Sequence, residues 1–397
     1  MRRHGRHGRE ANPAWGHPPM RRHGRRGRVA NPARGGCRPQ SPSRQARPRR
    51  RCRARGTRPC AARRVRFGRA DALRAVVLPC EFERNQVREG GSAMRIEKVA
   101  FIGKGGVGLM YGNIVAKHLG SDAVEYVMDD ARYERHADDA ITINDEPCLL
   151  RSVRASEATP ADLVILTVKA TGLEQALDTM EAVMGPNTRI ASLCNGITSE
   201  ERIAARFGWE RTVLGICQGM DVVFLDGTLT YRNSGEIRFG AAAGTDPQVV
   251  ADIADFYERA GVAHVVEKDI RHRMWAKLMM NDGINQTCMA YGGTYGSATE
   301  RGSEQRRCFV GAMREALAVA NAEGVALTEA DLSQMLHVIE GLDPDGMPSM
   351  AQDRIAHRKT EVEEFSGAIL RLAARHGIEV PQNEWLYQRI REIEASW

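Results

Sequence analysis

Hydrophobic positions alternate between two regimes along this chain. From residue 98 onward, short apolar runs of strand length recur: Val99-Ala100-Phe101-Ile102, Val124 to Met128, Leu163-Val164-Ile165-Leu166-Thr167-Val168 and Arg189-Ile190-Ala191-Ser192-Leu193. They are nearly continuous rather than alternating, as expected of strands buried on both faces of a parallel sheet. An amphipathic run over 109–119 follows the first of them, and helical stretches separate the others, which reads as βαβ units. Over 212–239 the pattern changes to shorter strands punctuated by Asp226-Gly227 and Asn233-Ser234-Gly235, which suggests antiparallel additions. After Ala263-His264-Val265-Val266 the chain turns helical. Residues 270–290 are apolar nearly all round, so this helix should be buried. A second long helix is expected over 349–376, opened by Ser349 with Gln352 three residues on, a capping-box pattern. The fold class is an α/β Rossmann domain followed by an all-α C-terminal domain, with boundaries at 94–267 and 268–397.

Residues 1–93 stand apart from this plan. They carry 26 Arg, no Lys and five acids, whereas the remainder holds 31 Lys and Arg against 45 acids. A partial repeat, Arg2-Arg3-His4-Gly5-Arg6 with Asn12-Pro13-Ala14, returns 19 residues later as Arg21-Arg22-His23-Gly24-Arg25 with Asn31-Pro32-Ala33. Clustered arginine suits a nucleic-acid-binding arm or a transit peptide. However, the segment has neither amphipathic periodicity nor aromatic interleaving, and arginine without any lysine looks like nucleotide bias. We read it as a disordered tail, translated upstream of a start at Met94, and expect no nucleic-acid partner. No apolar run approaches the roughly 20 residues of a membrane helix, which excludes an integral α-helical membrane protein. The body cysteines, Cys148, Cys194, Cys217, Cys288 and Cys308, form no C-x-x-C pair and lack histidines at ligand spacing. They read as reduced thiols in a cytoplasmic protein without a structural metal.

The chemistry begins at Gly103-Lys104-Gly105-Gly106-Val107-Gly108, a G-x-G-x-x-G between a strand and a helix. Gly103 permits the tight turn, Gly105 lets the backbone approach a pyrophosphate, and Gly108 lets the helix pack on its strand. The free N–H groups of the helix start then face an anion. Past the second strand, Asp129-Asp130 stand where an acid takes the ribose 2′-hydroxyl of NAD, and Arg132 is near enough to receive a 2′-phosphate instead, so local evidence leaves the choice open. Lys169 and Asn195 end successive strands and point to the crevice outside the carboxyl edge of the sheet. In the apolar helix, Lys277, Asn281 and Asn285 form one polar stripe at i, i+4 and i+8, flanked by Met274, Ile284 and Cys288, which fits a cleft lining.

Taken together, Gly103-x-Gly105-x-x-Gly108, Val168-Lys169-Ala170, Asn195-Gly196, Trp275-x-Lys277-Leu278-x-x-Asn281-x-x-x-Asn285 and Pro348-Ser349-Met350-x-x-Asp353 running on to Arg358-x-Thr360-Glu361-Val362 resemble the ketopantoate reductases (2-dehydropantoate 2-reductases) over roughly 94–397. The resemblance implies reduction of 2-dehydropantoate to pantoate by NADPH, a step of pantothenate and coenzyme A biosynthesis, at a site between two domains. It implies Lys277 as general acid, Glu361 holding the lysine or the nascent hydroxyl, Asn281 and Asn285 positioning substrate oxygens, and Ser349 taking the carboxylate. Lys169 and Asn195 would contact the nicotinamide ribose and the reacting end of the substrate, with Gly103, Lys104, Gly105, Gly106, Val107 and Gly108 around the dinucleotide. NADP is thus the implied cofactor, with NAD open because of Asp129-Asp130. Tyr295 stands where the family often has another asparagine, so a different 2-keto acid is the alternative substrate. A nucleotide- or nucleic-acid-binding protein is the alternative outside catalysis, and a homodimer is compatible with the pattern.

Overall fold

A computed structural model describes residues 94–397. The readings made for the arginine-rich segment lie outside these residues. Along the chain run β1 (Val99–Ile102), α1 (Gly106–Leu119), β2 (Val124–Met128), α2 (Asp130–His136), β3 (Thr142–Ile143), β4 (Glu146–Pro147), β5 (Arg151–Arg154), β6 (Leu163–Leu166), α3 (Leu173–Glu181), β7 (Arg189–Ser192), α4 (Ser199–Phe207), β8 (Thr212–Met220), β9 (Val223–Leu225), β10 (Thr228–Thr230), β11 (Ser234–Ala241), α5 (Pro247–Arg259) and β12 (His264–Val266). The helical part follows with α6 (Ile270–Tyr291), α7 (Tyr295–Thr299), α8 (Glu304–Ala322), α9 (Glu329–Glu340), α10 (Ser349–Ile355), α11 (Ser366–His376) and α12 (Pro381–Ala395).

The main sheet has the order β12-β11-β8-β7-β6-β1-β2-β5. β1 pairs in parallel with β2 on one side and β6 on the other. The chain therefore reverses its direction of travel across the sheet at β1, and ligands of doubly wound sheets bind outside such a switch point. Every residue of β1, β2 and β6 is buried, and all are apolar except Glu125, which pairs with Lys98 at 2.8 Å. The expected antiparallel addition is the β8–β11 pair. Asp226 and Gly227, both at positive φ, make the tight turn between β9 and β10. These two join β3 and β4 in a small second sheet, whose Phe224 and Leu229, with Val222 just before β9, lie against Gly106 at the start of α1.

The helical part is built round α6, whose N-cap Asp269 accepts from the His272 backbone N–H at 2.9 Å. Its first turns bury Ile270 and Met274 against Ile216 of β8, while Trp275 onward joins the core of the other helices. Among the described residues, no helix is long and apolar enough to cross a membrane. The five described cysteines are free thiols, all buried except Cys148.

Two expectations are corrected. The helix proposed over 349–376 is two helices, α10 and α11, with an irregular segment between them. The chain leaves α10 at His357, which takes a positive φ of 48°, and is then held from outside: Thr360 donates through both its N–H (2.8 Å) and its hydroxyl (2.6 Å) to Glu394 of α12. Val362 and Phe365 are buried, so tertiary contacts override the helical pattern of this stretch. The capping box at Ser349 is absent. Pro348 occupies the N-cap position, Ser349 is the first helical residue, and the Gln352 side-chain amide donates to the Met347 carbonyl.

Candidate active site

The glycine loop is shaped by close contacts on one side and open on the other. A Cβ on Gly108 would lie 2.2 Å from the Gly103 carbonyl oxygen and 2.5 Å from Thr167 Oγ1. One on Gly103, at φ +117°, would lie 2.8 Å from the Thr167 backbone. The Thr167 hydroxyl donates to the Gly103 carbonyl at 2.8 Å, tying the loop to the end of β6. A Cβ on Gly105 would meet nothing within 4 Å. Gly105 is also the N-cap of α1 and offers no side chain to the first-turn N–H groups. The loop thus combines open space, exposed backbone donors and a helix start, which fits the pyrophosphate of a dinucleotide.

Beyond it, four polar contacts link the sheet edge to the helical part or join two helices. Lys277 Nζ donates to Asn195 Oδ1 at 3.2 Å, and Asn195 Nδ2 donates to Glu361 Oε2 at 2.9 Å. The Asn195 amide is therefore oriented, oxygen toward the ammonium and nitrogen toward the carboxylate. Lys169 Nζ forms an ion pair of 2.7 Å with Asp353, whose other oxygen accepts from Arg358 Nε at 3.1 Å. Ser349 Oγ donates to Asn285 Oδ1 at 3.2 Å. The Asn195 loop is also gripped from the helical side, where Glu364 accepts from the Thr198 hydroxyl and lies against Gly196.

Burial drives the electrostatics. It pushes the Glu361 carboxyl above its ordinary range, against the Asn195 hydrogen bond and the nearby Lys169 and Lys277 ammoniums, which favour the charged form. Glu200, in the first turn of α4, is 1% exposed. Burial pushes its carboxyl up to about 7, although Ser199 Oγ donates to it at 2.7 Å and Lys277 favours its charge. Such a carboxyl contributes stability that is present below its unfolded pKa near 4.5 and is lost as pH rises through about 7. Replacing Glu200 with glutamine is expected to flatten the fall in stability between about pH 5 and pH 8, by up to about 3 kcal/mol. Thermal unfolding of both proteins across that range checks it; an unchanged pH slope would show that Glu200 ionises normally.

Known protein families match both parts of the chain. Residues 99–244 match the family described as ketopantoate reductase PanE/ApbA, and residues 269–394 its C-terminal counterpart. A 2-dehydropantoate 2-reductase of Caulobacter vibrioides is 30% identical over 227 residues, 56% of this chain and 74% of the relative. The chain belongs to the ketopantoate reductase family. A crystal structure of 2-dehydropantoate 2-reductase from Geobacter metallireducens is 25% identical with a TM-score of 0.66, over 74% of this chain and 99% of that one. D-mandelate dehydrogenase, solved with NADH and anilino(oxo)acetate, shares the fold at 23% identity and a TM-score of 0.67, over 75% of this chain and 99% of that one. As a ketopantoate reductase family member, the chain is an oxidoreductase of the class acting on a CH–OH group.

Of the residues expected at a ketopantoate reductase site, Lys277, Asn195 and Glu361 come together, as do Asn285 and Ser349. Three details of these contacts are not specified by the sequence. Glu361 reaches Lys277 through the Asn195 amide rather than directly. Lys169, just past β6, is paired with Asp353 of α10. Asn281 lies on the stripe, half-buried, and makes no side-chain hydrogen bond among the described residues. Asp353, Glu364, Thr198 and Glu200 had no role assigned to them in the sequence. Asp353 lies one helical turn past Ser349 on α10.

Proposed function

We propose that this chain reduces the carbonyl of a 2-keto acid, with 2-dehydropantoate as substrate and pantoate as product. What carries the reading is the Lys277–Asn195–Glu361 chain, which presents an ammonium between the helical part and the sheet edge that holds the glycine loop. A bound nicotinamide dinucleotide supplies the hydride. In this reading residues 94–267 hold the dinucleotide and 268–397 the keto acid. Gly105 and the first turn of α1 receive the pyrophosphate, with Lys104 beside them. As negative charge grows on the carbonyl oxygen, Lys277 Nζ donates a hydrogen bond and then its proton, leaving a hydroxyl and a neutral amine. Asn195 Oδ1 aims the ammonium before transfer. Glu361, through the same amide, keeps Asn195 from rotating. Ser349 and Asn285 hold the carboxylate and a hydroxyl of the substrate, and Asn281 faces it from the turn between Lys277 and Asn285. Such fixing of the reacting atoms accounts for much of the rate advantage of an enclosed site.

One observation favours a second substrate. Tyr295, at the place where an asparagine is expected, is a phenol packed against Gly346, and burial pushes its hydroxyl up to about 12. A phenol in place of an amide offers an aromatic face and fewer polar groups, so an aryl 2-keto acid, as the mandelate dehydrogenase neighbour suggests, is the alternative. Initial rates with 2-dehydropantoate and phenylglyoxylate separate the two. The first is expected to give kcat/KM at least about tenfold higher, the discrimination that pocket fit alone supplies. The reverse ranking would select the aryl acid, and absence of turnover with any 2-keto acid would overturn the enzyme reading.

A further inference from the structure

The end of β2 carries a charge arrangement that bears on which dinucleotide the proposed reductase takes. β2 pairs in parallel with β1, so its carboxyl end opens on the same edge as the glycine loop. Asp129 is the next residue. Its Oδ1 accepts the Arg132 backbone N–H at 2.9 Å and caps α2, which fixes the side chain at the strand tip. Its other oxygen makes no hydrogen bond among the described residues. Asp130 follows, with Oδ1 held by Ser156 Oγ at 3.0 Å.

The cations nearby are largely committed. Arg154 ends β5, the strand beside β2, and pairs with Glu134, lies 3.9 Å from Glu157 and stacks 4.5 Å over the Tyr133 ring. Lys104 donates to Ser152 Oγ at 3.1 Å. Arg132, like Arg135 in the last turn of the same helix, makes no side-chain hydrogen bond or ion pair among the described residues, and its side chain is exposed on α2. An acid at the tip of this strand faces the adenosine ribose in doubly wound sheets, where a diol donates to it and a 2′-phosphate, carrying about −1.5 to −2 charges, is repelled.

We infer that Asp129 makes this chain select the dinucleotide with a free adenosine 2′-hydroxyl, NADH rather than NADPH. The inference rests on the dinucleotide reading above and departs from the donor that the family resemblance implies. Calorimetric titration of the full chain with NADH and with NADPH, without keto acid, tests it. NADH is expected to bind at least about tenfold more tightly, the scale of one unfavourable charge contact. Asp129→Ser, which still caps α2, is expected to remove most of that preference. Arg132→Ala is expected to leave NADH binding unchanged. Tighter NADPH binding by the parent protein, lost in Arg132→Ala, would put the 2′-phosphate on Arg132 and overturn the inference while leaving the dinucleotide reading intact. An unchanged preference in Asp129→Ser would also overturn it. Binding of neither nucleotide would overturn both readings together.

Discussion

Lys277→Ala is expected to lower kcat by about 10²- to 10⁴-fold, the range for removing a positioned proton donor, while dinucleotide affinity stays within about threefold of the parent. The reason is positional. Lys277 projects from α6 and hydrogen-bonds Asn195 of the α/β part, whereas the glycine loop lies at the tip of β1 and depends on Thr167 for its shape. Removing the ammonium therefore leaves the dinucleotide's cradle untouched and takes away the donor that meets the developing alkoxide. Steady-state kinetics with a responsive keto acid and a separate binding titration give the two quantities. Undiminished turnover would remove Lys277 from the reaction. Loss of turnover and nucleotide binding together would mean that the helix had moved, and circular dichroism of the variant distinguishes that case.

Two glycines of one motif are expected to fail in opposite ways. Gly108→Ala places a methyl 2.2 Å from the Gly103 carbonyl oxygen, which is backbone and cannot swing aside, so α1 must move off the tip of β1. Overpacking of this kind costs about 1–3 kcal/mol, and the variant should unfold at a lower temperature as well as bind dinucleotide poorly. Gly105→Ala adds a methyl where nothing lies within 4 Å, at φ −96° and ψ −173°, which alanine adopts freely. Its stability should match the parent within about 0.5 kcal/mol, with dinucleotide affinity down at least about tenfold because the methyl occupies the approach to the pyrophosphate. Thermal unfolding and nucleotide titration of both variants check the contrast. If Gly105→Ala bound normally, the loop's open side would not be where the anion sits.

The sheet was legible because its strands are buried on both faces. Leu163 to Leu166 can be little else than a central strand, and the glycine loop follows β1 without a gap. The two-residue strands β3 and β4 were not legible, since two residues carry no periodicity. The stripe on α6 announced itself because polar side chains interrupted an apolar surface. Asp353 and Glu200 did not, because a buried acid looks in sequence like any surface acid, and Asp353 meets its lysine partner across 184 residues. The split between α10 and α11 was hidden for a related reason. Its cause is Glu394, near the far end of the chain, which captures Thr360 and leaves Glu361 in an irregular segment. At the other end of α10, Ser349 is already helical behind Pro348, so its hydroxyl does not cap the helix and reaches Asn285 instead.

The double membership of α6 has a consequence for how the molecule comes apart. Its first turns complete the apolar cover of β8, and its remainder is the spine of the other helices. Cutting the polypeptide just before Asp269 would strip Ile216 of its cover and leave the other fragment with Ile270 and Met274 bare. Neither piece would then be a self-sufficient globule, and heat should melt the 94–397 body in one cooperative step rather than two.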